Sequence, residues 1–287
     1  MERELWPRLY KLVKEAGKAI REPGVTYPAS TILLVFLWAA LHDRPVSWAC
    51  EMRNWSTTRL RPWQLPANST LSVRLRTLAV KQLFETVSQR LREIPEPGLI
   101  KRIDGKPLPV GGCSKDPDAR AGRAAGGKAV GYKLHAIWSG AAFPAAWDVR
   151  PMNVNEMKVA YDLVPQLWGE GYLLADTQFD GSRLHDLARR HGHQLVAPRR
   201  KGPKALGHTY QSPYRLHCLA MLTRDFGRKL LTARRQVERT YGNLTSFSCG
   251  LGPLPAWVRR HHRVHRWVWA KLIINAVRIL QKQRLAA

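Results

Sequence analysis

Three carboxylates stand out in this chain by where they sit. Asp104 closes a short β-type run, Leu99-Ile100-Lys101-Arg102-Ile103-Asp104, and Asp176 closes another, Tyr172-Leu173-Leu174-Ala175-Asp176. Glu238 lies in Arg234-Arg235-Gln236-Val237-Glu238-Arg239, and no other acid occurs between Phe226 and the C-terminus. The carboxyl ends of strands are where open α/β sheets place their sites. Converging carboxylates repel one another unless cations hold them together. Mg²⁺ suits oxygen ligands of this kind and leaves positions open for phosphate and water. Two such ions, ~4 Å apart, activate a water or a 3′-hydroxyl and stabilise the leaving oxygen of a phosphodiester. Each acid also has a plainer reading. Asp104 precedes a glycine, as in many turns, and Asp176-Thr177 suits a strand-end cap. Glu238 can pair with Arg234 or Arg235 at helical spacing, a contribution of only ~0.2–0.5 kcal/mol.

The rest of the composition narrows the substrate. The 287 residues carry 47 Lys and Arg against 21 Asp and Glu, a net charge of +26. Self-repulsion on that scale is tolerable when the partner is a polyanion, because each cation set against a phosphate releases condensed counterions. No acid occurs between Asp186 and Asp225, where Arg199, Arg200 and Lys201 cluster, and none occurs from Ala256 onward, where Trp257, Trp267 and Trp269 interleave with arginines. Trp267 and Trp269 are expected on the core face of the last helix. The longest apolar run, Ile32 to Leu41, is too short for a bilayer span, which takes roughly 20 residues. Met1-Glu2-Arg3-Glu4 opens a charged amphipathic stretch, and the four cysteines are scattered, so a reducing cytoplasm is expected. His191-x-His193 and His261-His262-x-x-His265 lack cysteines at finger spacing and read as basic surface.

The elements that must position the three acids follow from periodicity. Helices are expected over Leu5–Ile20, over Ile32–Leu41 capped by Ser30-Thr31, over Val46–Trp55, and from Asn68 to Leu78 with Arg74 and Arg76 off its apolar face. Glu93-Ile94-Pro95-Glu96-Pro97-Gly98 reads as a linker. Beyond it come the Asp104 strand, a Gly-, Ala- and Lys-rich loop from Gly111 to Gly127, and strands over Tyr132–Trp138 and Phe143–Val149. A helix over Asn153–Trp168, the Asp176 strand, a helix over Ser182–His191 and a strand over Gln194–Pro198 follow. Helical segments over Arg215–Arg239, interrupted near Gly227, and Val264–Leu280 complete the chain. Three strands in succession followed by α/β alternation match a ribonuclease-H-like mixed sheet flanked by helices, preceded by a small all-helical N-terminal region. The expected division is 1–95 for the helical region and 98–287 for the catalytic domain, including the basic C-terminal helix. Lys133 and His135 share one face of the second strand and are expected near the scissile phosphate. Asp116, Asp118, Asp148, Glu156, Asp162, Asp180, Asp186 and Asp225 are read as bystanders, Asp180-Gly181-Ser182 being a turn and helix cap.

The segments Arg102-Ile103-Asp104-Gly105-Lys106-Pro107-Leu108, Gly131-Tyr132-Lys133-Leu134-His135, Leu173-Leu174-Ala175-Asp176-Thr177-Gln178-Phe179-Asp180 and Arg235-Gln236-Val237-Glu238-Arg239-Thr240-Tyr241-Gly242-Asn243-Leu244 resemble bacterial insertion-sequence transposases of the DDE class. The resemblance implies that Asp104, Asp176 and Glu238 are the catalytic, metal-binding triad. It implies that Arg234 matches the Arg four residues before that Glu. Leu231 and Thr245 stand where the family signature has Tyr and Lys, so Arg235 or Arg239 takes the phosphate-holding part by position.

The implied activity is Mg²⁺-dependent cleavage at insertion-sequence ends, with Mn²⁺ as a substitute, and transfer of the 3′-hydroxyl into target DNA. The implied partners are the double-stranded inverted repeats and target DNA, bound by a homodimer in the bacterial nucleoid. The DNA contacts fall to Arg234, Arg235, Arg239, Lys133, His135, Arg199, Arg200 and Lys201, and to residues 1–95 for end binding or dimerisation. Two other readings compete: a transposase-derived DNA-binding regulator that no longer cuts, and a ribonuclease-H-like nuclease with another substrate.

Overall fold

A computed structural model describes residues 2–92, 98–111, 115–124, 126–200, 206 and 210–286, and the side chains of residues 3–283 within these ranges. Most of the 93–98 linker, Cys113 and Lys201 lie outside the described residues. The N-terminal part forms α1 (Glu2–Gly17), α2 (Ala29–Leu41), α3 (Val46–Ala49), α4 (Asn68–Arg74) and α5 (Leu78–Arg92). Then come β1 (Ile100–Pro109), β2 (Arg120–Ala124), β3 (Gly127–Trp138), β4 (Ala146–Pro151), α6 (Glu156–Leu163), β5 (Gly171–Leu174), α7 (Ser182–Arg190) and β6 (His193–Val196). The last elements are α8 (Pro213–Leu222), α9 (Asp225–Thr232), α10 (Gln236–Thr245) and α11 (His261–Ala286). Among the described residues no helix is long and apolar enough to cross a membrane.

The chain divides into two compact units, Met1–Glu93 with Leu244–Ala287, and Ile94–Asn243. The C-terminal helix, expected as part of the catalytic domain, therefore packs with the N-terminal helices. The physical reason is the apolar length of α2: Ile32, Leu33, Leu34, Val35, Leu37 and Trp38 are all fully buried. A helix that is apolar all round needs partners on every side. Helices α1, α3, α5 and α11 supply them, and Trp267 and Trp269 of α11 are buried as expected. Around Trp38, Trp55 stacks at 4.6 Å between ring centroids and Trp6 meets it edge-on at 4.7 Å.

Local details of this unit differ from expectation. Pro28, not Ser30-Thr31, occupies the N-cap of α2, and the Ala29 N–H donates to Glu22 Oε2 at 2.5 Å. The segment from Asn68 breaks at Leu75–Thr77, and Arg74 turns inward to pair with Glu22 and donate to Tyr27 O, 3.1 Å. A buried ammonium ties the unit together: Lys271 Nζ lies 2.6 Å from both Asp43 Oδ1 and Ala40 O, and 3.0 Å from Cys249 O.

The second unit is built on a six-stranded mixed sheet ordered β2-β3-β1-β5-β6, with β4 also paired to β3. Strand β3 is antiparallel to β1, β2 and β4, whereas β1, β5 and β6 run parallel. This mixed sheet flanked by helices, with a helical region ahead of it, is the expected fold class. Strand β2 arises from the segment read as a loop, where small residues let Arg120–Ala124 pair with Gly127–Gly131.

One face of the sheet buries Ile103, Ile137, Leu173 and Leu195 against Val159, Ala160 and Leu163 of α6 and Leu184 and Ala188 of α7. The other buries Leu174 and Val196 against Cys218 and Met221 of α8 and Leu230 of α9. The helical break expected near Gly227 falls instead at Thr223–Arg224. Gly227 is there for proximity, since a Cβ would lie 2.2 Å from Met221 O. His193, read as surface, is buried in β6.

Candidate active site

The plainer reading of Asp104-Gly105 as a turn does not hold. Strand β1 runs straight through it, with Asp104 opposite Ala136, Gly105 opposite His135 and Pro107 opposite Lys133. On its other edge β1 pairs with β5 only from Ile100–Tyr172 to Arg102–Leu174. Asp104 and Asp176 each stand two residues beyond that last pair. In-register parallel strands thus bring the two acids to the same level at the carboxyl edge, the place such sheets use for ligands. Asp176 is also the cap its position predicted, its Oδ1 accepting from the Gln178 N–H at 2.8 Å.

The third carboxylate at this point is Glu156. Asp104, Glu156 and Asp176 each offer an oxygen within 4.8 Å of the others. Glu156, read as a bystander, opens α6 behind the N-cap Asn155, whose Oδ1 accepts from the Met157 N–H at 2.8 Å. Its Oε1 lies 2.6 Å from Lys133 Nζ, and the pair is nearly covered. Gly105 makes room for it: a Cβ there would meet Lys133 Cδ at 2.8 Å and Glu156 Oε1 at 3.1 Å. The nearest signal in the sequence was a helix start directly after the strand that precedes it. Nothing local says that this helix end reaches the sheet edge.

Arg234 supplies the balancing charge. Its Nη2 lies 3.3 Å from Asp104 Oδ2 and 3.9 Å from Asp176 Oδ2. The alternative pairing of Glu238 with Arg234 or Arg235 is absent, since among the described residues Glu238 makes no ion pair; it is exposed on α10 outside the carboxylate group. Helix α10 is tied to the site by Tyr241, whose hydroxyl donates to Asp104 O at 2.8 Å and whose ring meets Trp138 edge-on. Burial pushes the Asp104 carboxyl up to about 6, against the pull of Arg234 and the Gly105 N–H, with Asp176 and Glu156 adding repulsion.

The other expected contacts are spread more widely. Lys133 and His135 are buried, and burial together with Lys133 and Arg150 pushes His135 down to about 3. The Lys133 ammonium is held against Glu156, and the His135 ring is covered. Arg235 and Arg239 are exposed, and Arg235 lines a cavity of about 410 Å³ with Asp176, Thr177, Arg228, Leu231 and Arg234. Arg199 is partly exposed and Arg200 exposed. The Arg200 N–H donates to Asp180 Oδ2 at 2.9 Å.

Asp180 is not the helix cap it was read as. It is buried and held by two bonds from Arg215, Nε to Oδ1 at 2.6 Å and Nη2 to Oδ2 at 2.7 Å, while Gly181 caps α7 without a side-chain bond. Burial alone would raise its pKa; Arg215, His185 and the Arg200 N–H outweigh that and hold the carboxyl well below the usual range. The loop that follows Asp176 is thereby fastened to α8.

Chemically, the edge offers hard oxygen donors close enough to share one divalent ion, an arginine already between two of them, and an arginine-lined cavity alongside. No curated protein shows a match to the chain. A cryo-EM structure of the piggyBac transposase synaptic complex with hairpin DNA is similar at a TM-score of 0.49 and 11% identity, over 95% of this chain and 71% of that one. The family profile described as the transposase DDE domain matches residues 98–275, more than half of the chain, and this chain belongs to the DDE-domain transposases.

Proposed function

We propose that the protein cleaves the phosphodiester at the ends of its own element and joins the freed 3′-hydroxyl to target DNA. The observation that carries this reading is the convergence of Asp104, Asp176 and Glu156 at the carboxyl edge of the sheet, with Arg234 between the two aspartates. Asp104 and Asp176 would hold Mg²⁺ or Mn²⁺ through their carboxylates. When bound, the ion supplies Lewis-acid stabilisation of phosphate charge and an activated oxygen nucleophile. Arg234 keeps the two aspartates together and presents its guanidinium where a non-bridging phosphate oxygen needs a donor. Arg235 and Arg239 extend that positive surface along the helix. The Tyr241 bond to the Asp104 carbonyl holds α10 in register with β1.

Two acids compete for the third place. Glu238 is assigned by its resemblance to the closing Glu, one helical turn after Arg234, and Glu156 by its position. The partner is double-stranded DNA, the inverted repeats and a target, engaged by two copies of the chain in the cytoplasm. Residues 1–95 serve end binding or dimerisation.

A second reading has its own support. Glu238 lies outside the carboxylate group, and Leu231 and Thr245 replace two signature residues. Those features suit a DNA-binding regulator of transposase descent. A gel cleavage assay on the inverted repeats that flank the encoding element, with and without Mg²⁺, separates the two. Asp176→Asn is expected to abolish cutting while DNA affinity stays nearly unchanged. Glu156→Gln and Glu238→Gln, assayed side by side, identify the third acid by the larger loss. Cleavage undiminished in Asp176→Asn sinks the active-site assignment, and no cleavage by the unaltered chain favours the regulator.

A further inference from the structure

The helical unit carries a second basic site, remote in sequence from the acids. Arg76 lies in the turn between α4 and α5, and Arg263 and Arg266 lie on the first turns of α11. Together they line a cavity of about 260 Å³ floored by Phe36 and Trp267. Arg76 and Arg266 also line a neighbouring cavity of about 450 Å³. Among the described residues no carboxylate lines either one. Among the described residues the side chains of Arg76 and Arg263 make no ion pair, and Arg266 makes only a bond from Nη1 to Leu75 O at 3.2 Å. Burial and the charges of Arg76 and Arg263 lower the Arg266 guanidinium to about 10.

Some arginines of this unit pair with acids, Arg74 with Glu22, Arg53 with Glu51 and Arg90 with Glu15. The three that gather around this cavity have no acid among them and repel one another. An anion in the cavity would turn that repulsion into attraction. Ser72 offers a hydroxyl and Asn68 an amide at the wall, and Trp257, 45% exposed, stands at the rim. Phosphate flanked by a flat apolar ring is the chemistry of a nucleic-acid strand, whose backbone takes the cations and whose sugars and bases take the aromatic face.

We infer that the cavity framed by Arg76, Arg263 and Arg266 is a docking site for the DNA backbone, separate from the carboxylate edge. This deepens the DNA reading given above and rests on it. Contacts of this kind position the strand without reading its sequence, and each one lost removes about one unit of the salt dependence of binding.

The test uses the full chain and a short fluorescein-labelled duplex of arbitrary sequence, followed by anisotropy between ~50 and ~200 mM salt. R76E/R263E is compared with R123E/K128E on the exposed β2–β3 hairpin, which makes the same change in net charge. The expected result is an affinity loss of about tenfold or more for the cavity pair, a salt slope flatter by about two, and less than about a threefold loss for the hairpin pair. R76K/R263K should retain most of the affinity. Because Arg76 and Arg263 meet no acid, R76Q/R263Q should melt no lower than the unaltered chain, and phosphate ion should raise the melting temperature of the unaltered chain more than that of this variant.

Equal losses from the cavity pair and the hairpin pair, or no loss from the cavity pair, overturn the site. The same assay in a D104N/D176N background keeps the two proposals apart. A failed cleavage reading leaves that comparison intact, and a failed docking site leaves cleavage chemistry untouched.

Discussion

Gly105→Ala tests the active-site geometry through a sign. Gly105 is not among the glycines with positive φ, so its backbone suits any residue. Alanine in a strand interior is normally better than glycine by about 0.5–1 kcal/mol, because it loses less freedom on folding. Here the new Cβ would lie 2.8 Å from Lys133 Cδ and 3.1 Å from Glu156 Oε1, against an optimum of about 3.5–4.0 Å between carbons. A flexible lysine would swing away at little cost. Lys133 is not free to do so, since it is buried and its ammonium is held 2.6 Å from Glu156. Overpacking of this kind costs about 1–3 kcal/mol, so the net expectation is a loss of about 1–2 kcal/mol.

Urea unfolding monitored by tryptophan fluorescence reads this as a lower midpoint at unchanged slope. On a Lys133→Ala background the clashing carbon is gone, and adding Gly105→Ala should then be neutral or stabilising. Cleavage should fall with Gly105→Ala alone, because displacing the Lys133–Glu156 pair moves a carboxylate of the proposed metal site. A Gly105→Ala protein that is more stable than the original, with full cleavage, refutes both the packing and the role given to Glu156.

Two further outcomes follow from buried charges. Asp180→Asn leaves Arg215 without its carboxylate and should cost about 3 kcal/mol, the lower end for a broken buried pair, as Arg215 keeps some solvent. Because the folded Asp180 carboxyl is held below its ordinary value, its contribution is complete above an unfolded pKa of ~3.9 and is lost as pH falls toward the folded one. Unfolding midpoints of the two proteins should therefore converge on acidification, and a gap that widens would refute the pairing. Lys271→Met takes the ammonium away from the Ala40 and Cys249 carbonyls and should lower stability by about 1–3 kcal/mol. A melting temperature equal to the original would show that the clamp contributes nothing.

Much of this protein was legible in one dimension. The apolar run Ile32–Leu41 could only be a buried helix, since no face of it suits water. The strand runs around Asp104 and Asp176, and the alternation from strand to helix after them, specified a mixed sheet with both acids at one edge. The charge balance pointed to a polyanion. These features are properties of single segments, and hydrophobic period and composition report on single segments.

Tertiary structure alone decided the rest. Asp104-Gly105 is a strand and not a turn because β3 continues the ladder beside it. Glu156 joins the acids because α6 begins where Gly105 leaves space, and Arg234 turns to Asp104 and not to Glu238 because α10 packs over that strand through Tyr241. Asp180 became a clamp because Arg215, distant in sequence, reached it first. Likewise Arg76 meets Arg263 and Arg266 only because α11 returns to the N-terminal helices. In each case the partner is set by strand register or helix packing across long separations, where the sequence shows which residues can interact but not which ones meet.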